Sequence, residues 1–474
     1  MAPCPARFVC ELLEVPLASQ AQPDRYQGCH GHRRPKLNYR LMNETLTPLT
    51  PYTATEGTTR MKTMLTPLPA RKGQRNQKSL LALAIGSVLA SAATPVLSQT
   101  LTDALTGGAV SLEVRYRYEF VDQDNPLDQA HASTVRTRLG YRTGDFKGFE
   151  VFAEAEDVSA VGNENYNSTI NGITDHSVVA DPTETEVNQI YVRYKGFSDT
   201  SLTYGRQRFA LDNHRFIGTV GWRQNEQTYD AFVGTNESLP DTKITAGYLY
   251  NANRIFSDAS PNGNFPMQSP ILNVQYQGLA AGTLTAYGYL FDFTTADVNS
   301  TQNFGLRFTG GTDVTEDAKV LYTLEYAIQK DYADNPQSFE AAYWLAEAGL
   351  AAYGVTVKVG METLESDDGR SFQTPLATLH AMNGWADQFL VTPDDGLQDL
   401  YVSAGAAVKG VKLLAIFHDY SSDINSLSYG SELGLLAAYP VNKHYTVGAK
   451  FASYAEDGRG VDTDKAWLWG QVKF

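Results

Sequence analysis

The chain has 474 residues, of which 53 are Asp or Glu and 38 are Lys or Arg, and its formal net charge is −15. The imbalance is greater beyond residue 98, where 26 Lys and Arg stand against 48 Asp and Glu. This acidity argues against a nucleic-acid partner, because binding to the phosphate backbone depends on an excess of Lys and Arg.

The first sixty residues differ from the rest of the chain. Residues 1–60 are rich in Pro, Thr and Arg and contain all three cysteines, Cys4, Cys10 and Cys29. They show neither helical nor strand periodicity, so we interpret them as a disordered or spurious N-terminal extension. From Gln99 onward there is no cysteine. The rest of the chain therefore has no disulfide framework, thiolate metal site or cysteine nucleophile.

Residues 61–98 follow the order of a secretory signal peptide. Five Lys and Arg residues lie between positions 62 and 78, an apolar run occupies 80–90, and small residues follow. The apolar run is only about a dozen residues long, whereas a membrane-spanning helix needs about 20. We therefore expect this segment to be removed, and the mature protein to begin between Ala93 and Gln99 and consist of residues 99–474.

From Gln99 to the end, apolar and polar side chains alternate with a period of two, which is the pattern of a half-buried strand. One example is residues 111–120, where large apolar residues alternate with Ser, Glu and Arg. The pattern recurs about every twenty residues. It predicts eighteen strands, near 108–121, 131–143, 148–158, 184–195, 200–210, 225–235, 241–254, 268–277, 282–293, 300–309, 318–330, 337–349, 354–364, 398–408, 411–420, 427–438, 444–455 and 464–474.

The connections between these strands alternate in length. Even-numbered connections are mostly tight turns, whereas several odd-numbered ones are long polar stretches, listed as 159–183, 211–224, 255–267, 365–397 and 456–463. Segregation of loop length to the two rims is typical of bacterial outer-membrane barrels, in which the short turns are periplasmic. The sequence therefore predicts an all-β protein, a transmembrane antiparallel β-barrel of about eighteen strands with long extracellular loops.

The last strand ends on Phe474, an aromatic residue that closes an alternating segment. A terminal Phe in this position resembles the signal that the barrel-assembly machinery reads. We therefore expect that machinery, outer-membrane lipid and lipopolysaccharide as partners, with localisation in the outer membrane of a gram-negative cell.

Residues 204–232 read YGRQRFALDNHRFIGTVGWRQNEQTYDAF. This block resembles the alginate-export family of outer-membrane porins, and weaker likeness extends over the whole mature chain. The resemblance implies an eighteen-stranded barrel with a charged lumen that passes small hydrophilic, anionic solutes such as acidic sugars or polyuronates by diffusion or export. Physically, the block suits a strand, a loop folded inward and a returning strand. Gly218 and Gly221 would permit unusual backbone conformations in that loop, and Trp222 would pin it to the wall.

A set of arginines and one tryptophan are the candidate residues of the pore and substrate path. They are Arg115, Arg117, Arg136, Arg138, Arg193, Arg206, Arg208, Arg215, Trp222 and Arg223. Guanidinium groups suit carboxylate and phosphate. The alternative is a non-selective general porin in which these arginines pair with lumen carboxylates and hold the loop. Arg206 and Arg208 share the parity of Tyr204, so either a bulge shifts the register or this strand end stands above the hydrocarbon.

The lumen is predicted to carry mixed charge, because Glu113, Glu119 and Glu150 share the inward parity of the arginines. This departs from the strongly electropositive channel that a dedicated polyanion exporter needs, and it argues against alginate itself as the solute.

An enzyme of outer-membrane lipase type is the remaining alternative, since His131 and Ser133 have the His-x-Ser spacing of barrel phospholipases. No third member of a triad is evident, so we predict no enzymatic activity and no catalytic residues. The six histidines beyond Gln99 are widely spaced, and we expect no metal site and no cofactor. The acidic segments 366–369 and 393–396 could bind Ca²⁺ or contact lipopolysaccharide, but Asp and Gly there favour solvated turns.

Overall fold

The computed structural model describes residues 100–474. The predicted N-terminal extension and signal peptide lie outside the described residues. A short helix, α1 (Leu101–Thr106), precedes the first strand. Eighteen strands of the described part form one sheet: β1 (Ala109–Gln123), β2 (Ala130–Arg142), β3 (Phe149–Ala160), β4 (Glu184–Tyr194), β5 (Thr200–Gln207), β6 (Thr228–Asn236), β7 (Thr242–Asn253), β8 (Asn264–Leu279), β9 (Gly282–Phe291), β10 (Thr301–Thr315), β11 (Ala318–Asp331), β12 (Glu340–Ala352), β13 (Val355–Leu364), β16 (Leu397–Val408), β17 (Val411–Ser421), β18 (Ser428–Pro440), β19 (Tyr445–Glu456) and β20 (Thr463–Lys473).

The sheet closes on itself. Each strand pairs antiparallel with its neighbours along the chain, and β1 also pairs with β20, with Glu113 opposite Lys473 and Gln123 opposite Thr463. Closure leaves no strand edge unpaired, which a bilayer requires because lipid cannot hydrogen-bond an exposed backbone. All eighteen predicted strands are confirmed. Among residues 100–474, none of the helices has the length and hydrophobicity to cross a membrane.

The predicted division of loop lengths is also confirmed. Connections at the periplasmic rim contain six residues or fewer, whereas those at the extracellular rim contain six to 32. Two small strands, β14 (Ser366–Asp367) and β15 (Arg370–Ser371), form a hairpin within the longest extracellular connection. Its turn residues Asp368 and Gly369 have positive φ angles of 48° and 85°, so the first acidic segment is a turn.

Outward side chains are apolar and inward side chains are largely polar. Ile190 and Tyr204 face outward, at 54% and 58% exposure. Inward positions on β1 and β2 instead hold buried charges, including Arg117, Glu119 and Arg136. This alternation is that of a membrane barrel with a polar interior.

Two extracellular loops fold into the barrel, and we name them L3 (residues 208–227) and L7 (residues 365–396). Between them, apolar residues of both loops and inward aromatic residues of β6, β9, β12 and β17–β20 form one buried cluster. The interior of the barrel is thus partly filled by its own loops, as an inward-folded constriction requires.

The path of L3 accounts for two differences from the predicted strand ends. β5 stops at Gln207 and β6 starts at Thr228, because Arg208 and Glu226 already belong to the loop. The expected role of the glycines is wrong in part: the left-handed residues of L3 are Asp212, His214 and Val220, with φ of 50°, 66° and 49°, and not Gly218 or Gly221. Gly218 is required for a different reason. A Cβ there would lie 2.3 Å from the Thr378 hydroxyl of L7.

Candidate functional site

Two arginines of the barrel wall hold the backbone of L3. The Arg115 guanidinium donates to the carbonyl oxygens of Gly221 and Trp222, both at 3.1 Å, and to that of Arg223 at 2.5 Å. Arg136 donates to the Gln224 carbonyl at 3.3 Å. These bonds satisfy carbonyl groups that the loop has carried out of water, where an unpaired polar group is costly.

The same contacts explain why two like charges can face each other. Arg115 and Arg136 are directly opposite on β1 and β2, an arrangement that is repulsive by itself. Both are buried, at 7% and 2% exposure. Loop carbonyls compensate both guanidinium groups, and Glu113 forms an ion pair with Arg136. L3 is therefore part of what makes this wall stable.

Another extracellular loop, the connection 161–183, joins the same network through its residue Asp181. Arg117 forms ion pairs with Asp181 and, at 3.2 Å, with Glu119. Asp181 also accepts from the Gln224 backbone N–H at 3.0 Å. Burial raises the pKa of Asp181, but Arg117 and Arg223 lower it more, so the carboxylate is held ionised.

The two arginines that L3 itself contributes reach different partners. Arg223 bonds Glu119 of β1 at 3.0 Å and Asp387 of L7 at 3.2 Å. Arg215 bonds Glu362 of β13 at 3.0 Å, and it is 1% exposed. Neither guanidinium faces open water, so both fix the position of the loop.

Trp222 is the point at which L3, L7 and the wall meet. Its ring stacks on His380 of L7, with 5.5 Å between centroids, and packs edge-on against Trp467 and Trp469 of β20. The Lys450 ammonium lies 3.8 Å from the centroid of the Trp222 ring. A cation over an indole face is attracted by the ring quadrupole, and burial strengthens this contact.

His380 and Asp387 form a buried pair within L7, with Nδ1 of His380 2.7 Å from a carboxylate oxygen of Asp387. Burial lowers the pKa of His380 to about 3, and the nearby cations Lys450 and Arg223 lower it further. Burial raises the pKa of Asp387, but the hydrogen bond from His380 and the charges of Lys465 and Arg223 outweigh burial and hold that pKa well below its ordinary value. The imidazole is therefore neutral beside an ionised carboxylate at neutral pH.

The opposite side of L3 is attached by apolar packing. Phe216 contacts Tyr287 and Tyr289 of β9 and Tyr343 of β12, with centroid distances of 5.0 to 6.0 Å. Asp212 accepts a hydrogen bond from Asn273 of β8 at 2.8 Å. The loop is thus held on one side by arginines and on the other by aromatic rings.

A cavity of about 230 Å³ opens inside the barrel below L3, and we call it the basic vestibule. Its charged lining consists of Arg138, Arg142, Arg208 and Lys473, with Glu113 and Glu154. Just beside it, Glu150 pairs with Arg142, Arg193 and Lys195.

In the ion pairs at the rim of the vestibule, the cation is more exposed than the carboxylate. Arg142 is 40% exposed against 15% for Glu150, and Lys473 is 67% exposed against 14% for Glu113. Arg208 is 40% exposed and is bonded to Glu226, which is 2% exposed. A solute in the vestibule therefore meets guanidinium and ammonium groups before it meets carboxylates.

The predicted pore residues divide into two groups inside the barrel and one residue, Arg206, outside it. Arg138, Arg193 and Arg208 line the basic vestibule or lie beside it. The buried loop-holding group contains Arg115, Arg117, Arg136, Arg215, Trp222 and Arg223.

Arg206 does not lie on the pore path, which corrects its place among the candidates. It pairs across the sheet with Ile190 and Asp230, and Ile190 faces outward. The guanidinium bonds Asp230 at 2.9 Å on that outer surface. No bulge interrupts β5, and Arg208 reaches the interior because the strand has ended at Gln207.

His131 and Ser133, the spacing that suggested a lipase, are each bonded to a different tyrosine of β1. His131 Nδ1 lies 2.8 Å from the Tyr118 hydroxyl, and the Ser133 hydroxyl lies 3.1 Å from that of Tyr116.

Several residues of the network were not found from the sequence. Asp181, Asp387 and Lys450 come from loops and strands that are remote from L3 along the chain, whereas Glu226 lies within L3 itself. In the sequence, the one indication of this network was the polar segment 224–227, which contains Glu226 and two glutamines. Asp128, Asp175 and His176 also meet on extracellular loops, with ligand atoms within 4.8 Å of one another, although no close-spaced pattern predicts them.

Comparison with known proteins agrees with this geometry. The barrel is similar to Pseudomonas aeruginosa OccK9 (OpdG), with a TM-score of 0.64 and 12% identity over 78% of this chain and 100% of that one. It is also similar to P. aeruginosa OpdK solved with vanillate, with a TM-score of 0.63 and 13% identity over 78% and 99%. For Acinetobacter baumannii OccAB3 the TM-score is 0.61, at 15% identity over 78% and 100%. These likenesses concern the fold.

No curated protein matches the sequence significantly. The model of the alginate-export family matches residues 109–358, which include β1 to β12, all of L3 and the start of β13. The chain therefore belongs to the alginate-export family of outer-membrane β-barrels.

Proposed function

We propose that this outer-membrane channel selects small hydrophilic anions, with acidic sugars and uronate oligomers as the class that its family suggests. The observation that carries the proposal is that, in the ion pairs at the rim of the basic vestibule, the cation is more exposed to solvent than its carboxylate partner. Inside a narrow channel, such groups raise the local concentration of anions even when the whole protein is negative. Arg142, Arg208 and Lys473 would act as the selecting groups, whereas Arg138 is buried and paired with Glu156.

A matched pair of arginines tests this proposal. Arg206 and Arg208 are two residues apart. Arg206 faces outward and bonds Asp230, whereas Arg208 faces the vestibule and bonds Glu226 and Glu154. One unit charge about 4 Å away in water contributes about 1 kcal/mol. We therefore expect Arg208→Ser to lower the permeability ratio of chloride to potassium roughly fivefold. Arg206→Ser should leave that ratio unchanged.

The measurement is the reversal potential of single channels in a salt gradient. The proposal fails if the wild-type channel prefers cations, or if both variants behave alike. Correct assembly of each variant can be checked by its heat-modifiable migration on gels.

A general porin without ion preference is the second candidate, and one observation favours it. Arg115, Arg117, Arg136, Arg215 and Arg223 are buried and occupied by loop carbonyls and carboxylates. If the vestibule cations are likewise neutralised by their partners, the channel would exclude solutes by size alone. Equal permeation of gluconate and glucose into liposomes would favour this candidate.

We also propose that the barrel has no lipase activity. The separate tyrosine partners of His131 and Ser133 support this. Phospholipid hydrolysis by the purified barrel that is lost in Ser133→Ala would refute it.

A further inference from the structure

A second cavity lies below L3 and L7 against a different part of the wall, and we call it the neutral chamber. Its volume is about 490 Å³, within the range of small-molecule sites. Polar groups from β10 to β17 line it together with Asn213 of L3 and Met382 of L7. The polar wall residues are Arg307, Thr323, Glu347, Thr356, Lys358, Glu362, Tyr401, Ser403 and His418.

Two inward glycines give the chamber its shape. A Cβ at Gly360 would lie 2.3 Å from the Tyr401 ring, and one at Gly349 would lie 2.9 Å from Cγ of Lys358. Tyr401 and Lys358 can therefore lie along the wall and leave the space in front of them open. Glu347 holds both, accepting from the Tyr401 hydroxyl at 2.8 Å and from the Lys358 ammonium at 2.9 Å.

Every formal charge of the chamber wall has a nearby partner of opposite sign. Lys358 pairs with Glu347, as stated, and Arg307 forms an ion pair with Glu325. Glu362 is paired with Arg215. The net charge of the wall is close to zero, so Coulomb attraction would not concentrate either anions or cations here. This distinguishes the chamber from the basic vestibule.

The chamber nevertheless contains polar groups with no protein partner. Among residues 100–474, the hydroxyls of Thr323, Thr356 and Ser403 make no hydrogen bond with another protein group. His418 is held through Nδ1 by Asp399 at 2.9 Å, which leaves Nε2 for a ligand. Hydroxyl and imidazole groups can donate or accept, so they suit a ligand that also does both.

We propose that the neutral chamber binds uncharged hydroxylated solutes, namely sugars or polyols. Their hydroxyls would exchange hydrogen bonds with Ser403, Thr323, Thr356 and His418, and a ring would rest its C–H face on Tyr401. This goes beyond the anion selectivity of the vestibule and does not depend on it. The two sites would act on different parts of the solute population that enters the barrel.

The test uses maltose as a neutral disaccharide and the purified barrel in planar bilayers. We expect maltose to interrupt the ion current of single channels in a concentration-dependent manner. Tyr401→Leu should weaken the apparent affinity about tenfold, the equivalent of about 1.4 kcal/mol. Gly360→Ala should do the same, because its methyl group displaces the Tyr401 ring. Ser403→Ala should have a smaller effect.

Val402→Leu is the control. Val402 lies between Tyr401 and Ser403 in β16, but its side chain faces outward and is 48% exposed. Equilibrium dialysis of labelled maltose against the barrel in detergent gives the same ranking without an open channel. The inference is overturned if the wild type neither binds maltose nor is blocked by it, or if Tyr401→Leu and Gly360→Ala bind as well as Val402→Leu.

The two proposals can fail separately. Loss of chloride preference in Arg208→Ser with unchanged maltose affinity supports both sites. Maltose binding that depends on Tyr401, in a channel without anion preference, would refute the vestibule proposal alone.

Discussion

The indole ring of Trp222 lies parallel to the imidazole ring of His380, with 5.5 Å between the centroids and 2° between the planes. This stack joins L3 to L7. Gln227 reinforces it, donating at 3.0 Å both to the Gly218 carbonyl within L3 and to the Leu376 carbonyl of L7. The two loops therefore form one unit, and a change in either should be felt in both.

The first prediction concerns this stack. Trp222→Ala removes the ring contact with His380 and one of the three indole faces around Lys450, leaving those of Trp385 and Trp467. Aromatic pairs contribute about 0.5 to 1.5 kcal/mol beyond their buried area, so the closed arrangement of the loops should be less stable. We expect larger mean conductance and more frequent fluctuations in single-channel records. Phe304→Leu, at an outward residue with 54% exposure, is the control and should be silent.

The second prediction separates loop-holding arginines from solute-facing ones by stability. Arg117→Met leaves Asp181, which is fully buried, without its ion-pair partner. Breaking a buried pair by removing one partner costs about 3 to 5 kcal/mol. The urea midpoint of the folded barrel should fall clearly. Arg142→Met removes an exposed partner of Glu150 and should cost about 1 kcal/mol or less. Equal midpoints for the two variants would contradict this assignment.

The third prediction is a dependence on pH. The pKa of His380 is about 3 in the closed loops against an ordinary 6.5, so the open loops bind the proton more tightly. The closed state is then fully stable above pH 6.5, and it loses stability as the pH falls from 6.5 toward 3. Conductance should rise over that interval.

His380→Phe keeps a ring against Trp222 but cannot titrate, so its conductance should vary less with pH over the same interval. His444→Gln, in a periplasmic turn, serves as the control and should retain the wild-type profile. An unchanged profile in His380→Phe would assign the effect to another group.

The fourth prediction concerns the inward part of L3. Deletion of residues 213–221 removes Arg215 and Phe216, and with them the attachments to Glu362 and to the aromatic wall. The lumen of an eighteen-stranded barrel is wide unless something folds into it. Conductance should increase severalfold. A control deletion of 458–460, in an exposed extracellular loop, should leave conductance as it was.

The strand pattern could be predicted because it is local. A barrel strand must alternate between lipid and lumen, so the period of two is written in each segment, as in residues 111–120. Whether a loop lies at the periplasmic or the extracellular rim follows from counting the strands that precede it. The inward parity of Arg115 and Arg136 follows in the same way. The parity of Arg206 also follows, but it left open whether a bulge shifts the register or the strand end stands above the hydrocarbon, and β5 has no bulge. Asp230 on the neighbouring strand compensates its charge.

The sequence by itself therefore determined the barrel, its strand number, its orientation and the loop that folds inward, since these depend on periodicity and on the order of turns. Only the tertiary structure decided which arginines are buried against carbonyl and carboxylate groups and which remain exposed to the lumen. Arg117 and Arg208 look alike in sequence, yet Asp181 buries one, while the other remains partly open beside Glu226. Their partners lie 64 and 18 residues away. The exposure of a charge depends on groups that closure of the barrel brings together, and no local pattern encodes that distance.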